Sequence, residues 1–217
     1  VSDAFSSAAN WCDALILHLN VKYCRPVSRG GRTVLSTALG RNFDQPLSST
    51  YRVNFVYSIT ASRPDYVDVD LHALHGPLGT GNYRISLEAV GLENKRAFVH
   101  LRYSYTYGFA GRSAMNMYLA TSGSDKVGFT VIGARNDPQP KFIGGVRGAI
   151  ERNTMRYYLA IDAYLGALAT PAPARFEQSL GRWFNATELY PRQLREIDRD
   201  TYFAMKRSEY LRQQTAQ

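Results

Sequence analysis

Val99-His100-Leu101-Arg102-Tyr103-Ser104-Tyr105-Thr106-Tyr107 alternates apolar and polar residues without a break. A period of two puts Val99, Leu101, Tyr103, Tyr105 and Tyr107 on one face of a strand and His100, Arg102, Ser104 and Thr106 on the other. Outward from this stretch the same period recurs. Tyr83, Ile85, Leu87 and Ala89 alternate with Arg84, Ser86 and Glu88. Val67, Val69, Leu71 and Ala73 alternate with Asp68, Asp70 and His72 within Tyr66–Leu74. Tyr51, Val53, Phe55, Tyr57 and Ile59 form a further half-buried strand, with Val56 as its exception, and Thr33–Leu39 precedes it. The strands are punctuated by the Gly40–Ser49 connection, Arg63-Pro64-Asp65, the Gly76–Gly81 loop and a hairpin over Gly91–Lys95. Lys126–Arg135 reads as the last strand, ended by Asn136-Asp137-Pro138 and Pro140.

After it, Ile143, Val146, Ile150, Tyr157, Ile161, Tyr164, Leu165 and Leu168 recur at helical spacing, which predicts one long amphipathic helix over Ile143–Leu168. Thr170-Pro171-Ala172-Pro173 stops it. A sheet must bury one face, and a helix of this length can cover it. The chain is therefore α+β, with room for an apolar ligand between sheet and helix.

At the N-terminus two short helices are expected, with Ser2 or Asp3 capping the first and Asn10 the second. They would pack on the sheet through Phe5, Trp11, Leu15 and Leu19. Arg25-Pro26 and Gly30-Gly31 read as a loop. At the other end, Arg175–Gln217 reads as two helices separated at Tyr190-Pro191. Phe176, Leu180, Trp183 and Phe184 form one thin stripe, and Leu194, Ile197, Tyr202 and Met205 a weaker one. Neither makes a core alone, so residues 1–168 are taken as the domain and 169–217 as a helical extension packed on it or on a partner.

The composition, 45% hydrophobic and 20% charged, is that of a globular chain. No apolar run reaches the ~18 residues of a membrane span. The net charge of +8 favours an anionic partner, and an anionic membrane surface is one candidate. Nucleic acid is not expected: no block of five or more Lys or Arg occurs, and the dense stretch Arg192–Arg212 interleaves Glu196, Asp198, Asp200 and Glu209. Cys12 and Cys24 are the only cysteines. They are expected to close a disulfide, which favours an exported protein, against the alternative of two buried free thiols in a reducing compartment.

Few residues suggest chemistry. The chain has no serine–histidine–acid signature, no zinc-protease motif and no phosphate loop, since Gly76–Gly81 joins strand to strand. No cofactor, metal site or catalytic residue is assigned. Asp68, Asp70 and His72 share a strand face that could hold a metal or pair an acid with a base, although such a row is more often a solvent face. His100 and Arg102 share another, and Arg102 can pair across strands with Asp70 or Glu88. Arg147 and Glu151, four apart, flank Ile150 at the edge of the helical stripe, where they could reach a cavity mouth.

Two short helices, an antiparallel sheet and a long helix after the last strand resemble the helix-grip fold of the START-like or polyketide-cyclase-like superfamily. The resemblance covers Ser2–Leu168 and rests on the order of elements. The segment from Gly144 to Tyr158 is similar to that superfamily's gripping helix, preceded by the strand at Lys126. Met115-Asn116-Met117-Tyr118 is similar to a helical interruption in lipid-binding members. The fold usually opens with a strand before the two helices, whereas here Val1 leads directly into the first helix. The resemblance implies a curled antiparallel β-sheet gripped by one long helix, enclosing an apolar cavity for lipids, sterols or aromatic polyketides. It carries over no catalytic residue.

The expected function is binding or transport of a hydrophobic small molecule, with Tyr57, Leu101, Tyr103, Tyr105, Ile150 and Tyr157 lining the cavity and Arg147 and Glu151 reaching its mouth. The alternatives are a cyclase or hydrolase using His72, Asp70, His100 or Arg102, and an interaction module acting through the Arg175–Gln217 tail.

Overall fold

The computed structural model describes residues 2–93, 96–121, 123–133 and 140–215. Two short helices, α1 (Ser2–Phe5) and α2 (Ala8–Leu15), lead into six strands: β1 (Val21–Arg29), β2 (Arg32–Leu39), β3 (Tyr51–Arg63), β4 (Tyr66–His75), β5 (Thr80–Leu92) and β6 (Arg96–Tyr107). Helices α3 (Phe109–Ala120), α4 (Gly145–Gly166), α5 (Ala172–Glu188), α6 (Pro191–Leu194) and α7 (Arg199–Thr215) follow. The sheet is an antiparallel meander in the order β1-β2-β3-β4-β5-β6. It curls but does not close, so β1 and β6 are its edges.

The period of two decides which face is buried. Val67, Val69, Leu71 and Ala73 on β4 lie beside Ala89, Leu87, Ile85 and Tyr83 on β5, and all eight are buried. Each large side chain removed from water contributes about 1.5–3 kcal/mol. Val53 and Phe55 extend this layer on β3, and Leu35 on β2. Against it pack α1 and α2, through Phe5 and Trp11, and α4, through Tyr157, Ala160, Ile161 and Tyr164. The Trp11 indole N–H and the Tyr57 hydroxyl both donate to the Phe5 carbonyl, at 3.0 and 2.9 Å. The turn after α1 is thereby tied to the sheet.

Several elements differ from the sequence expectation, including the tail, where three helices, α5 to α7, stand in place of the two expected. Val21–Arg29 is a strand, not a loop. Pro26 lacks an N–H, which an edge strand tolerates because one side of its backbone needs no partner. Gly30 and Gly31 both have positive φ, 56° and 73°, and form the two-residue turn that matches the twist of the strands they join. Residues 126–133 are not a strand of the sheet. They run beside α4 and pair locally with residues 141–143 around an isolated bridge between Val131 and Phe142. Helix α4 starts at Gly145, so Ile143 lies in the segment paired with Thr130 and Gly128. The second helix begins one residue after Ser7 rather than at Asn10, whose side chain instead donates to the Ala4 carbonyl. Residues 1, 94, 95, 122, 134–139, 216 and 217, where some expected boundaries fall, lie outside the described residues.

The α5–α7 segment covers the far side of α4 and the α2–β1 junction. Leu180, Trp183, Leu194, Tyr202 and Met205 belong to the same buried cluster as the sheet residues. Tyr202 donates to the Leu17 carbonyl at 2.9 Å. Lys22 and Lys206, both fully buried, converge on the two carboxylate oxygens of Glu209, at 2.8 and 2.7 Å.

Cys12 on α2 and Cys24 on β1 form a disulfide with their Cα atoms 5.1 Å apart. Reduction is expected to lower stability by about 3 kcal/mol, mainly by releasing the unfolded chain from a short loop. Urea unfolding with and without reductant measures this. Coincident midpoints would show that packing alone holds the junction.

Candidate functional site

The aromatic face of β6 meets β5 and α4 at one end of the sheet. The Tyr83 ring stacks on Tyr105, with centroids 5.2 Å apart, and Tyr103 lies 5.4 Å from Tyr157 on α4. Tyr157 in turn stacks on His18, centroids 4.3 Å apart. The strand period brings Tyr103 and Tyr105 to one face, and α4 supplies Tyr157 above them. The turn after α2 supplies His18.

Beside this cluster lies a cleft of about 570 Å3. Tyr83, Tyr103 and Tyr157 form its aromatic wall, His18 and Asn153 lie in the same lining, and Leu39, Arg41, Phe43 and Tyr51 come from β2, the connection after it and the start of β3. The connection is shaped by Gln45, which accepts from the Arg41 N–H at 2.8 Å and donates to the Ser49 carbonyl at 2.8 Å.

The wall is polar but uncharged. Burial raises the tyrosine pKa values at Tyr103, well above the ordinary phenol range, and at Tyr157 and Tyr83. Burial also lowers the His18 pKa well below its usual value, helped by the nearby cations Arg156, Lys206 and Lys22. The imidazole is neutral. Its Nδ1 accepts from the Asn20 N–H at 3.1 Å, which puts the ring proton on Nε2. Nε2 has no hydrogen-bond partner among the described residues. A buried donor left unpaired costs about 1–3 kcal/mol.

The residues expected to line one cavity fall into three places. Tyr103 and Tyr157 line the cleft. Tyr57 and Tyr105 pack at the edge of the core, Tyr57 held by the Phe5 carbonyl and Tyr105 by Tyr83. Leu101, Ile150 and Glu151 line a separate groove of about 440 Å3 with Phe129, Met155 and Tyr158.

Glu151 is fully engaged there. Its carboxylate accepts from the Phe129 and Thr130 N–H groups at 2.7 and 2.9 Å, from the Thr130 hydroxyl at 2.6 Å and from Arg147 at 3.0 Å. Burial alone would raise its pKa, but these bonds outweigh it and bring the group down to about 2. Glu151 thus anchors the 126–133 segment to α4. Because the folded pKa is depressed, its contribution is complete above the unfolded value of ~4.4 and is lost as pH falls toward 2. Comparing wild type with Glu151→Gln by urea unfolding should show a gap that is constant above pH ~5 and closes on acidification. A gap independent of pH would remove this role.

The polar sheet face carries the other candidates. Asp70 accepts from the Ser86 hydroxyl at 2.9 Å and lies 3.7 Å from Arg84. Glu88 takes both His100, at 3.1 Å, and Arg102, at 3.0 Å, and these partners are half or more exposed. His72 lies across the ladder from Arg84. The carboxylates Asp70 and Glu88 are therefore already bonded to protein groups, and no cluster of three metal-ligating side chains occurs among the described residues.

Sequence reading missed His18, Leu39, Arg41 and Phe43. The available signals were a lone histidine after the apolar run Ala14–Leu17 and an aromatic, Phe43, inside an otherwise polar connection.

Comparison of the chain with protein-family models, curated proteins and solved structures finds no match.

Proposed function

We propose that this protein binds a hydrophobic small molecule in the cleft bounded by Tyr83, Tyr103 and Tyr157. The observation that carries the reading is the cleft itself, of a size that suits a small ligand, walled by tyrosine rings and holding polar groups able to orient a guest. Aromatic walls bind apolar ligands by area and stacking, while hydroxyls and N–H groups select among them. We further read the architecture as a helix-grip variant. Two helices, a six-strand antiparallel meander and a long helix over its buried face support that assignment.

Native mass spectrometry of the purified protein, followed by organic extraction, tests the function. A lipid-like or aromatic compound is expected in the native form and released on unfolding. Tyr103→Ala should lower its occupancy about tenfold while the protein stays folded, because Tyr103 sits on an edge strand and lines the cleft. Equal loss of occupancy and stability would make Tyr103 an ordinary packing residue.

A further inference from the structure

The charge pattern of the cleft narrows the guest. Among the described residues no aspartate or glutamate lines it, and Arg41 is the only ionised residue of the lining. Arg41 packs over Phe43, 6.0 Å from the ring centroid, and makes no ion pair among the described residues. The nearest acid along the chain, Asp44, is bonded to Arg212 at 2.7 Å. The lining also holds the buried His18 ring, whose Nε2–H lacks an acceptor among the described residues. The charges acting on that ring are the cations Arg156, Lys206 and Lys22. A cationic guest would meet repulsion here, and a neutral guest would leave Arg41 without a counter-ion.

We infer that the cleft selects an apolar molecule carrying a carboxylate, with Arg41 as its counter-ion and the tyrosine wall holding its apolar body, an inference that rests on the cleft being the binding site. A carboxylate fits because a guanidinium presents two parallel N–H donors to its two oxygens, and such charge-assisted bonds are about twice as strong as neutral ones. Ionised, it only accepts, which suits a wall that offers donors.

Isothermal titration of the full chain with 2-naphthoate and 2-naphthamide separates the possibilities, since the two share one skeleton and differ in charge. At low ionic strength the acid should bind about tenfold more tightly than the amide, with the preference reduced at high salt. Arg41→Gln should bring the acid down to the affinity of the amide. Equal affinities in the wild type overturn the acidic guest and leave the cleft as the binding site. A preference that survives Arg41→Gln overturns Arg41 as counter-ion. Binding of neither probe, with nothing in the organic extract, overturns the cleft reading and this inference together.

Discussion

Replacing Glu209 by alanine is expected to destabilise the protein by about 3–5 kcal/mol, because it strands two buried ammonium groups without their shared carboxylate. Lys22 and Lys206 are fully buried, and each also donates to backbone carbonyls: Lys22 to Leu19 at 3.0 Å, Lys206 to His18 at 2.7 Å and Val21 at 2.9 Å. Those bonds remain in the variant, but the charge compensation does not. In the wild type burial lowers the Lys206 pKa, Glu209 partly restores it, Lys22 lowers it again, and the result is about 8. A folded pKa below the unfolded value of ~10.4 means that the folded state binds fewer protons, so stability rises with pH from about 8 upward. In Glu209→Ala the lysines lose protons at still lower pH. The deficit against wild type should therefore be largest in mildly acidic solution and narrow as pH approaches 8. Urea unfolding at several pH values measures both effects. A deficit below 1 kcal/mol throughout would show that the carbonyls alone stabilise the two lysines.

Trp183→Ala is expected to cost a similar amount, about 3–5 kcal/mol, by opening a cavity that its surroundings cannot fill. The indole is 1% exposed, stacks on Tyr202 at 4.7 Å and donates to the Arg156 carbonyl on α4 at 3.2 Å. The substitution thus removes packing together with a hydrogen bond that ties α5 to α4. Because Trp183 and Tyr202 share one core with the sheet, the loss should appear as a single shifted transition whether unfolding is followed by helical circular dichroism or by tyrosine fluorescence. Two separated transitions would mean that residues 169–217 unfold independently of the sheet and α4.

Legibility followed the range of the interactions. The strands β3 to β6 and the helix α4 were readable because each carries its burial pattern in its own period, and α5 showed its stripe for the same reason. Strand β1 was not readable, since Arg25-Pro26 and Gly30-Gly31 are loop signals locally and become an edge strand and hairpin only when β2 pairs with them. Residues 126–133 have strand composition but are held by the Glu151 carboxylate rather than by a sheet edge. The expected apolar stripe of α4 holds at Tyr157, Ile161 and Tyr164. Toward its N-terminus, however, the buried residues are Arg152 and Arg156, which converge on Glu196.

Of the cleft, Tyr103 and Tyr157 could be named from sequence as aromatics on inward faces. That they meet Tyr83 and His18, while Tyr57 and Tyr105 pack away from the opening, could not. By itself the sequence determined an α+β chain, the buried faces of β3 to β6 and of the C-terminal half of α4, and the aromatic wall of β6, because hydrophobic period is a local property. Only the tertiary structure decided which edge stays open, which charges are buried and where a cleft remains. These depend on partners far apart in the chain, as Lys22 and Glu209 are, and a buried charge is tolerated only once such a partner has arrived.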